Sequence, residues 1–134
     1  MILIGLFGGS PESREEITRL MLAAAGSDLG AYGLSPSQGL DGPARAEKLA
    51  VVLRGLGPQV KDRGLLISHV LTTAEADAIR ARGGRLLYVQ GAPCEQIAIS
   101  RHDLAVTVTP GGDRHYLDPV EAYSEILLSQ RRVR

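Results

Sequence analysis

The amino-acid sequence predicts an α/β protein, a three-layer α/β/α arrangement around a mostly parallel five-stranded sheet. Two observations support this fold class. Short continuous apolar runs alternate with stretches in which apolar residues recur at helical spacing, the pattern of repeated strand-helix-strand units. The chain has 134 residues, 44% of them hydrophobic, which is enough for one domain with a buried core. We therefore expect a single α/β domain over residues 1–134.

Five apolar runs are predicted to be strands. They are short, and turn-forming or polar residues bound them, as in the buried strands of a parallel sheet. The run over 29–34 is the weakest of the five because Gly30 and Gly33 dilute it. In chain order the predicted strands cover residues 2–7, 29–34, 65–70, 86–90 and 104–109.

The first predicted helix follows the first strand directly. Ser10 has the side chain of an N-cap, Pro11 suits the first helical position, and Gly26 ends the apolar pattern. Helical spacing predicts an inner stripe for this helix. Its expected members are Ile17, Leu20, Met21 and Ala24.

Three more helices are predicted, at about 43–56, 72–83 and 118–130. Gly57-Pro58 ends the first of these and Gly83-Gly84 ends the second. The segment 35–42 is rich in Ser, Gly and Pro and is a candidate lid or binding loop. The predicted inward residues are Leu49, Val52, Leu53 and Leu56 on the second helix, and Val120, Tyr123, Ile126 and Leu127 on the last.

The charge balance and the single cysteine limit the classes of partner. Fifteen basic and fifteen acidic residues cancel, so no overall field attracts nucleic acid or an anionic membrane, and neither is an expected partner. No apolar run approaches the roughly 18 residues of a transmembrane helix. Cys94 cannot form an internal disulfide, which fits the cytoplasm, and it is expected to pack as a small hydrophobe.

Ligands of such sheets bind outside the carboxyl ends of the strands, and this rule selects the candidate site residues. The turn after the first strand and the helix that follows it supply the phosphate-loop candidates, which would bind a nucleotide cofactor. These are Gly8, Gly9, Ser10, Ser13 and Arg14. The candidates for substrate binding lie in or near the segments that follow the other strands. These are Tyr32, Asp41, Arg45, His69 and Glu75.

No metal site is predicted, because the three histidines, His69, His102 and His115, do not have the spacing of convergent ligands. No catalytic residue is assigned either, since nucleophile and paired-cysteine motifs are missing. Simple structural roles compete with binding at several candidates: a tight turn for Gly8 and Gly9, a helix cap for Ser10, and a solvated helix face for Glu75.

The segment 65–89 resembles the phage-type deoxynucleoside monophosphate kinases, a P-loop family. In that family a strand ends in an Asp-x-Arg element, a Glu-Ala pair follows on a helix, and Gly-Gly precedes the next strand. Here Glu75-Ala76 and Gly83-Gly84 match, whereas His69 and Leu71 occupy the Asp and Arg positions. With the first strand and the last helix, the resemblance covers most of the chain. It implies a P-loop kinase-like or Rossmann-like fold.

The glycine turn departs from a working phosphate loop. Aligning the P-loop pattern on Gly8 puts Ser13 at the second glycine, Arg14 at the lysine and Glu15 at the hydroxyl that holds Mg²⁺. Pro11 also removes an N–H from the loop. The arginine-bearing lid of these kinases has no counterpart. The resemblance therefore implies a degenerate member without the P-loop lysine.

A second, shorter resemblance concerns residues 4–10, Ile-Gly-Leu-Phe-Gly-Gly-Ser. This segment is similar to the start of the nicotinate-mononucleotide adenylyltransferases, in which a first strand leads into a phosphate-binding loop with a His-x-x-His signature. No histidine precedes His69 here, so the similarity ends at Ser10. We rank it below the kinase resemblance.

Three classes of function remain open. The preferred class is a catalytically inactive, nucleotide-kinase-like protein that acts as a binding or protein-interaction module. In the second, an active nucleoside monophosphate kinase or other nucleotide phosphotransferase binds phosphate with Arg14 and Arg45 and uses Glu75 or Asp41 as base. The third is a structural or assembly protein without a small ligand. The expected partners are accordingly a nucleotide, another protein or further copies of the chain in a homo-oligomer.

Overall fold

A computed structural model describes residues 2–34, 41–55 and 64–132 of the chain. Over these residues five strands form one parallel sheet with helices on both faces, so the predicted three-layer α/β fold is confirmed. The strands are β1 (Leu3–Phe7), β2 (Leu29–Tyr32), β3 (Gly64–Ile67), β4 (Arg85–Val89) and β5 (Leu104–Val106). The helices are α1 (Pro11–Ala25), α2 (Gly42–Arg54), α3 (Thr73–Ala81) and α4 (Pro119–Arg132).

The sheet has the strand order β2-β3-β1-β4-β5, with β1 at its centre. Alternate side chains of β1 enter different cores, as the two-residue period of a strand requires. Ile4 and Leu6 pack with α1 and α4, whereas Leu3 and Phe7 pack with α2 and α3. The chain therefore leaves β1 toward one face and leaves β3, its neighbour, toward the other. In parallel sheets such a divergence opens a crevice at the carboxyl ends of the two strands.

Three strands end two or more residues before the apolar runs that predict them. The run 29–34 pairs only as far as Tyr32. The run 65–70 pairs only as far as Ile67, although Val70 is buried and donates its N–H to the Leu6 carbonyl at 2.9 Å. The run 104–109 pairs as far as Val106, and the Thr107 N–H then bonds the Leu117 carbonyl at 2.8 Å. A buried loop that follows a strand can carry the same β-branched and apolar residues as the strand, because these residue types are favoured both by burial and by pairing with a neighbouring strand. The sequence pattern therefore predicts a strand that is too long.

The inner faces of two helices differ in part from the prediction. Ala24 is exposed on α1, whose buried residues are Arg14, Ile17 and Met21. Val120 is 52% exposed on α4, because the buried stripe of that helix is centred on Ala122, Tyr123 and Ile126. Val120 lies about 100° of helical rotation from the middle of that stripe. The expected burial of Ala24 and Val120 was wrong.

Helix α2 begins at Gly42, with Asp41 as its N-cap, so the predicted loop 35–42 is shorter by these two residues. The rest of that loop, 35–40, lies outside the described residues, as do Leu56 and Gly57-Pro58. Leu49 and Leu53 are buried as predicted, and Val52 is partly buried. Among the described residues, no helix combines the length and apolar character that crossing a bilayer requires.

Candidate functional site

The turn between β1 and α1 has the form that its two glycines predict. Gly8 and Gly9 have φ values of +75° and +64°, in the left-handed region that side chains disfavour. Ser10 caps the helix, since its hydroxyl oxygen accepts the Ser13 N–H at 3.0 Å, and Pro11 occupies the first helical position. The two glycines thus allow a sharp turn from strand to helix, and Ser10 caps the helix.

This turn is closed against the segment that follows β4. The Gly9 N–H donates to the Ala92 carbonyl at 2.8 Å, so it does not face a ligand. A side chain at Gly9 would lie 2.6 Å from Val89 Cγ1. A phosphate loop needs its N–H groups directed into open space, so that they can surround the phosphate oxygens. The turn in this protein lacks that space at Gly9.

Arg14 folds back onto the same turn. Its Nη1 donates to the carbonyls of Gly8 at 2.8 Å and Gly9 at 3.3 Å, and its Nε donates to His69 Nδ1 at 3.1 Å. Arg14 is 4% exposed. Burial lowers the pKa of its guanidinium, against the opposing influence of Cys94 and Glu12, yet an arginine stays protonated in proteins. The Arg14 cation therefore binds the protein's own carbonyl oxygens.

His69 connects this turn to the segment that follows β3. Because Nδ1 accepts a hydrogen bond from Arg14, the ring must be neutral with its proton on Nε2, which lies 3.4 Å from Glu15 Oε1. Burial, followed by the positive charge of Arg14, lowers the pKa of His69 below its ordinary value of 6.5. The exposed Glu15 carboxylate acts in the opposite direction. His69 is thus a buried neutral ring that links the segment after β3 to the first turn of α1.

The neutral state of His69 should make stability depend on pH. Its pKa is lower in the folded than in the unfolded chain, so the unfolded chain binds more protons below about pH 6.5. The contribution is complete above this value and is lost as the pH falls toward the folded pKa. We expect His69→Asn to reduce the fall in the free energy of unfolding between about pH 7.5 and 5.5, because asparagine accepts the Arg14 bond without titrating.

Urea denaturation at the two pH values measures this dependence, and His102→Asn is the matched control. His102 is exposed, and its ring has no hydrogen-bond partner among the residues that the structure describes. Its substitution should leave the wild-type pH dependence in place. A wild-type slope in His69→Asn together with a reduced slope in His102→Asn would contradict this interpretation.

Arg45 and Glu75 form a buried ion pair beside His69. Arg45 Nε lies 2.9 Å from Glu75 Oε1, and their side chains are 2% and 1% exposed. Arg45 Nη2 also donates to the carbonyls of Leu34 and His69, at 2.6 and 3.1 Å. Glu75 further accepts bonds from the Leu71 N–H and the Thr72 hydroxyl. The pair joins α2, α3 and the segments that follow β2 and β3.

The structure joins six of the predicted site residues by hydrogen bonds: the carbonyls of Gly8 and Gly9, and four further residues. Arg14, His69, Arg45 and Glu75 form a continuous hydrogen-bonded chain, which includes the His69 carbonyl. Among the remaining candidates, Ser10 and Asp41 are helix caps. Tyr32 is partly buried, and burial raises the pKa of its hydroxyl; Asp41 accepts the Ala44 N–H at 2.9 Å as the cap of α2. Where the structure describes the chain, no three His, Cys, Asp or Glu side chains are grouped so that they could hold a metal ion.

A cavity of ≈ 250 Å³ opens at the carboxyl ends of β1 and β4, and we call it the rim cavity. Its walls are mainly apolar and aromatic. Cys94 lines it and packs beside the core as expected, with Sγ 3.6 Å from the Leu71 carbonyl oxygen. The main lining residues are Phe7, Tyr88, Cys94, Ile97 and Tyr116. The sequence predicts a site at this edge of the sheet but does not indicate these residues, because only the fold brings them together.

Three aromatic rings give the rim cavity a defined shape. The ring centroids of Phe7 and Tyr88 are 6.3 Å apart, and Tyr88 meets Tyr116 edge to face at 6.0 Å. Neither tyrosine hydroxyl has a hydrogen-bond partner in the described part of the chain. The cavity thus has mainly apolar walls that include three aromatic side chains.

The chain was also compared with known proteins. No protein-family model matches it, and no curated protein shows significant similarity to it.

Proposed function

We propose that this chain is a degenerate relative of the phage-type deoxynucleoside monophosphate kinases, inactive in phosphoryl transfer and acting as a binding module for a small planar ligand. The observation that carries the proposal is the closed glycine turn. The Arg14 guanidinium donates to the Gly8 and Gly9 carbonyls, and the Gly9 N–H donates to the Ala92 carbonyl, so these two donors, which would hold a phosphate, already bond the protein's own oxygens.

The buried ion pair gives the active-enzyme alternative less support. A general base must come within hydrogen-bond reach of its substrate, yet the Glu75 carboxylate is 1% exposed and bound to Arg45. Arg45 is equally buried, and its Nη2 is held by two carbonyl oxygens. Asp41 caps α2. None of these groups is presented to a nucleotide in the arrangement that the mechanism needs.

The rim cavity supports ligand binding because of its size and its walls. At ≈ 250 Å³ it is smaller than a typical drug-sized site of roughly 300 Å³ or more, so it suits a single ring system better than a whole nucleotide. Stacking on aromatic side chains contributes about 1–3 kcal/mol per nucleic-acid base. We therefore favour a nucleobase or nucleoside, bound through its ring rather than through a phosphate.

Isothermal titration and a coupled kinase assay test this proposal. We expect deoxynucleosides and their monophosphates to bind with affinities within about threefold of each other, with or without Mg²⁺. The reason is that the proposed site offers no set of N–H groups to bind the phosphate. We expect no conversion of monophosphate and ATP to diphosphates above the uncatalysed background. Turnover that is lost in Arg14→Gln but kept in the exposed Arg19→Gln would overturn the inactive assignment.

Variants at Tyr116 test whether the rim cavity is the ligand site. Tyr116→Leu removes the ring and should weaken nucleoside binding by about tenfold or more, which corresponds to the loss of one stacking contact. Tyr116→Phe keeps the ring and should retain most of the affinity. Equal losses in the two variants would assign the recognition to the hydroxyl, and unchanged binding in both would exclude this cavity.

A further inference from the structure

A second cavity, of ≈ 310 Å³, lies at the opposite edge of the sheet, where β4 and β5 begin. We call it the amino-edge groove and define it by Arg80, Arg85, Ser100, His102 and Asp103. Arg80 belongs to α3, Arg85 is the first residue of β4, and the other three residues precede β5. The groove shares no lining residue with the rim cavity.

Arg85 brings an uncompensated positive charge to the groove. Its Nε and Nη2 both donate to the His102 carbonyl oxygen, at 3.2 and 2.8 Å. These two bonds fix the plane of the guanidinium and leave Nη1 without a hydrogen-bond partner among the described residues. No carboxylate of the described residues forms an ion pair with Arg85. The guanidinium is therefore oriented before any ligand arrives.

The groove also contains a carboxylate, Asp103, which Arg80 neutralises. Arg80 Nη2 lies 3.0 Å from Asp103 Oδ2 and 3.2 Å from the Ala98 carbonyl oxygen. The Asp103 side chain is 3% exposed and also accepts the Ser100 N–H at 2.7 Å. With two guanidinium groups and one carboxylate, the groove has an excess of one positive charge.

We propose that the amino-edge groove binds the phosphate group of a small phosphomonoester. A guanidinium whose plane is already fixed loses little entropy on binding and matches the geometry of phosphate oxygens. The Ser100 hydroxyl accepts the His102 N–H at 3.3 Å and retains its own proton for donation to the anion. A volume of ≈ 310 Å³ holds a phosphate with a small organic group attached to it. The proposal is independent of the rim cavity and its ligand.

Titration of the ¹⁵N-labelled full chain tests the proposal. Inorganic phosphate and ribose 5-phosphate are added separately at constant ionic strength, with sodium chloride as the reference salt. Both should shift the amide resonances of Arg85 and of residues 100–103 in a saturable manner, with dissociation constants in roughly the millimolar range. Tighter binding of ribose 5-phosphate supports an attached group in the groove. Failure of both compounds to saturate these shifts overturns the proposal.

Two matched substitutions separate a site from general charge effects. Arg85→Gln should weaken phosphate binding by about tenfold, the loss of one charge-assisted contact. Arg82→Gln makes the same change of charge at an exposed residue outside the groove and should leave the affinity within about twofold. Arg85→Lys keeps the charge without the planar guanidinium and should give an intermediate loss of phosphate affinity. It also provides a second test of the site if the glutamine variant is too unstable to study. Equal losses in Arg82→Gln and Arg85→Gln would overturn the proposal.

Discussion

Replacing Glu75 with alanine is expected to lower the free energy of unfolding by about 3–5 kcal/mol. The Glu75 carboxylate is 1% exposed and lies 2.9 Å from Arg45, which is 2% exposed. Alanine removes this anion and leaves the Arg45 cation in a site that water does not reach, which is far more costly than losing a surface contact. Folded domains are stable by only about 5–15 kcal/mol, so the change should be evident as a lower urea midpoint.

Glu47→Ala is the matched control for this substitution. Glu47 pairs with Arg54 at 3.6 Å, and the side chains of Arg54 and Glu47 are 62% and 71% exposed. An exposed pair contributes about 0–1 kcal/mol, so the control should change the midpoint very little. Glu75→Gln keeps an acceptor oxygen while removing the charge, and its effect should lie between the other two. Similar midpoints for Glu75→Ala and Glu47→Ala would show that the buried pair does not anchor α2 and α3.

The spacing of Arg14 and Arg45 indicates where these two side chains lie but not what they bind. Arg14 precedes the buried Ile17 and Met21 of α1, and Arg45 precedes the buried Leu49 and Leu53 of α2 at the same kind of helical interval. Each arginine therefore lies on the inner face of the first turn of its helix. This periodicity was available before the structure. An arginine in such a stripe nevertheless cannot be assigned until its acceptors are known.

The acceptors come from distant parts of the chain. Arg14 binds His69, 55 residues further on, and Arg45 binds Glu75, 30 residues further on. Local patterns predict elements, and here they predicted the five strands and four α-helices of the described residues in the correct order. They do not predict which strands pair, because parallel pairing depends on crossovers between distant segments. The position of the glycine turn was thus predictable, whereas its closure by Ala92 and Arg14 was not.

Replacing Gly9 with alanine is the second change expected to have a large effect, about 2–5 kcal/mol of lost stability. Gly9 has a φ of +64°, a conformation that costs a side-chain-bearing residue about 1–2 kcal/mol. The added Cβ would also lie 2.6 Å from Val89 Cγ1 and 3.1 Å from the Gln90 carbonyl oxygen. Val89 is a buried residue of β4 and cannot move aside, so overpacking adds about 1–3 kcal/mol. Urea denaturation again provides the measurement.

Gly83→Ala separates the two causes, because Gly83 has a φ of +77° and open space around the position of an added Cβ. Gly83→Ala should therefore lower the free energy of unfolding only by the cost of the left-handed backbone conformation, about 1–2 kcal/mol. A turn that wraps a phosphate would have similar open space beside Gly9, and the two variants would then be equally destabilised. A larger loss for Gly9→Ala measures the contact between the turn and β4, the same contact that leaves no open space beside Gly9 for a phosphate.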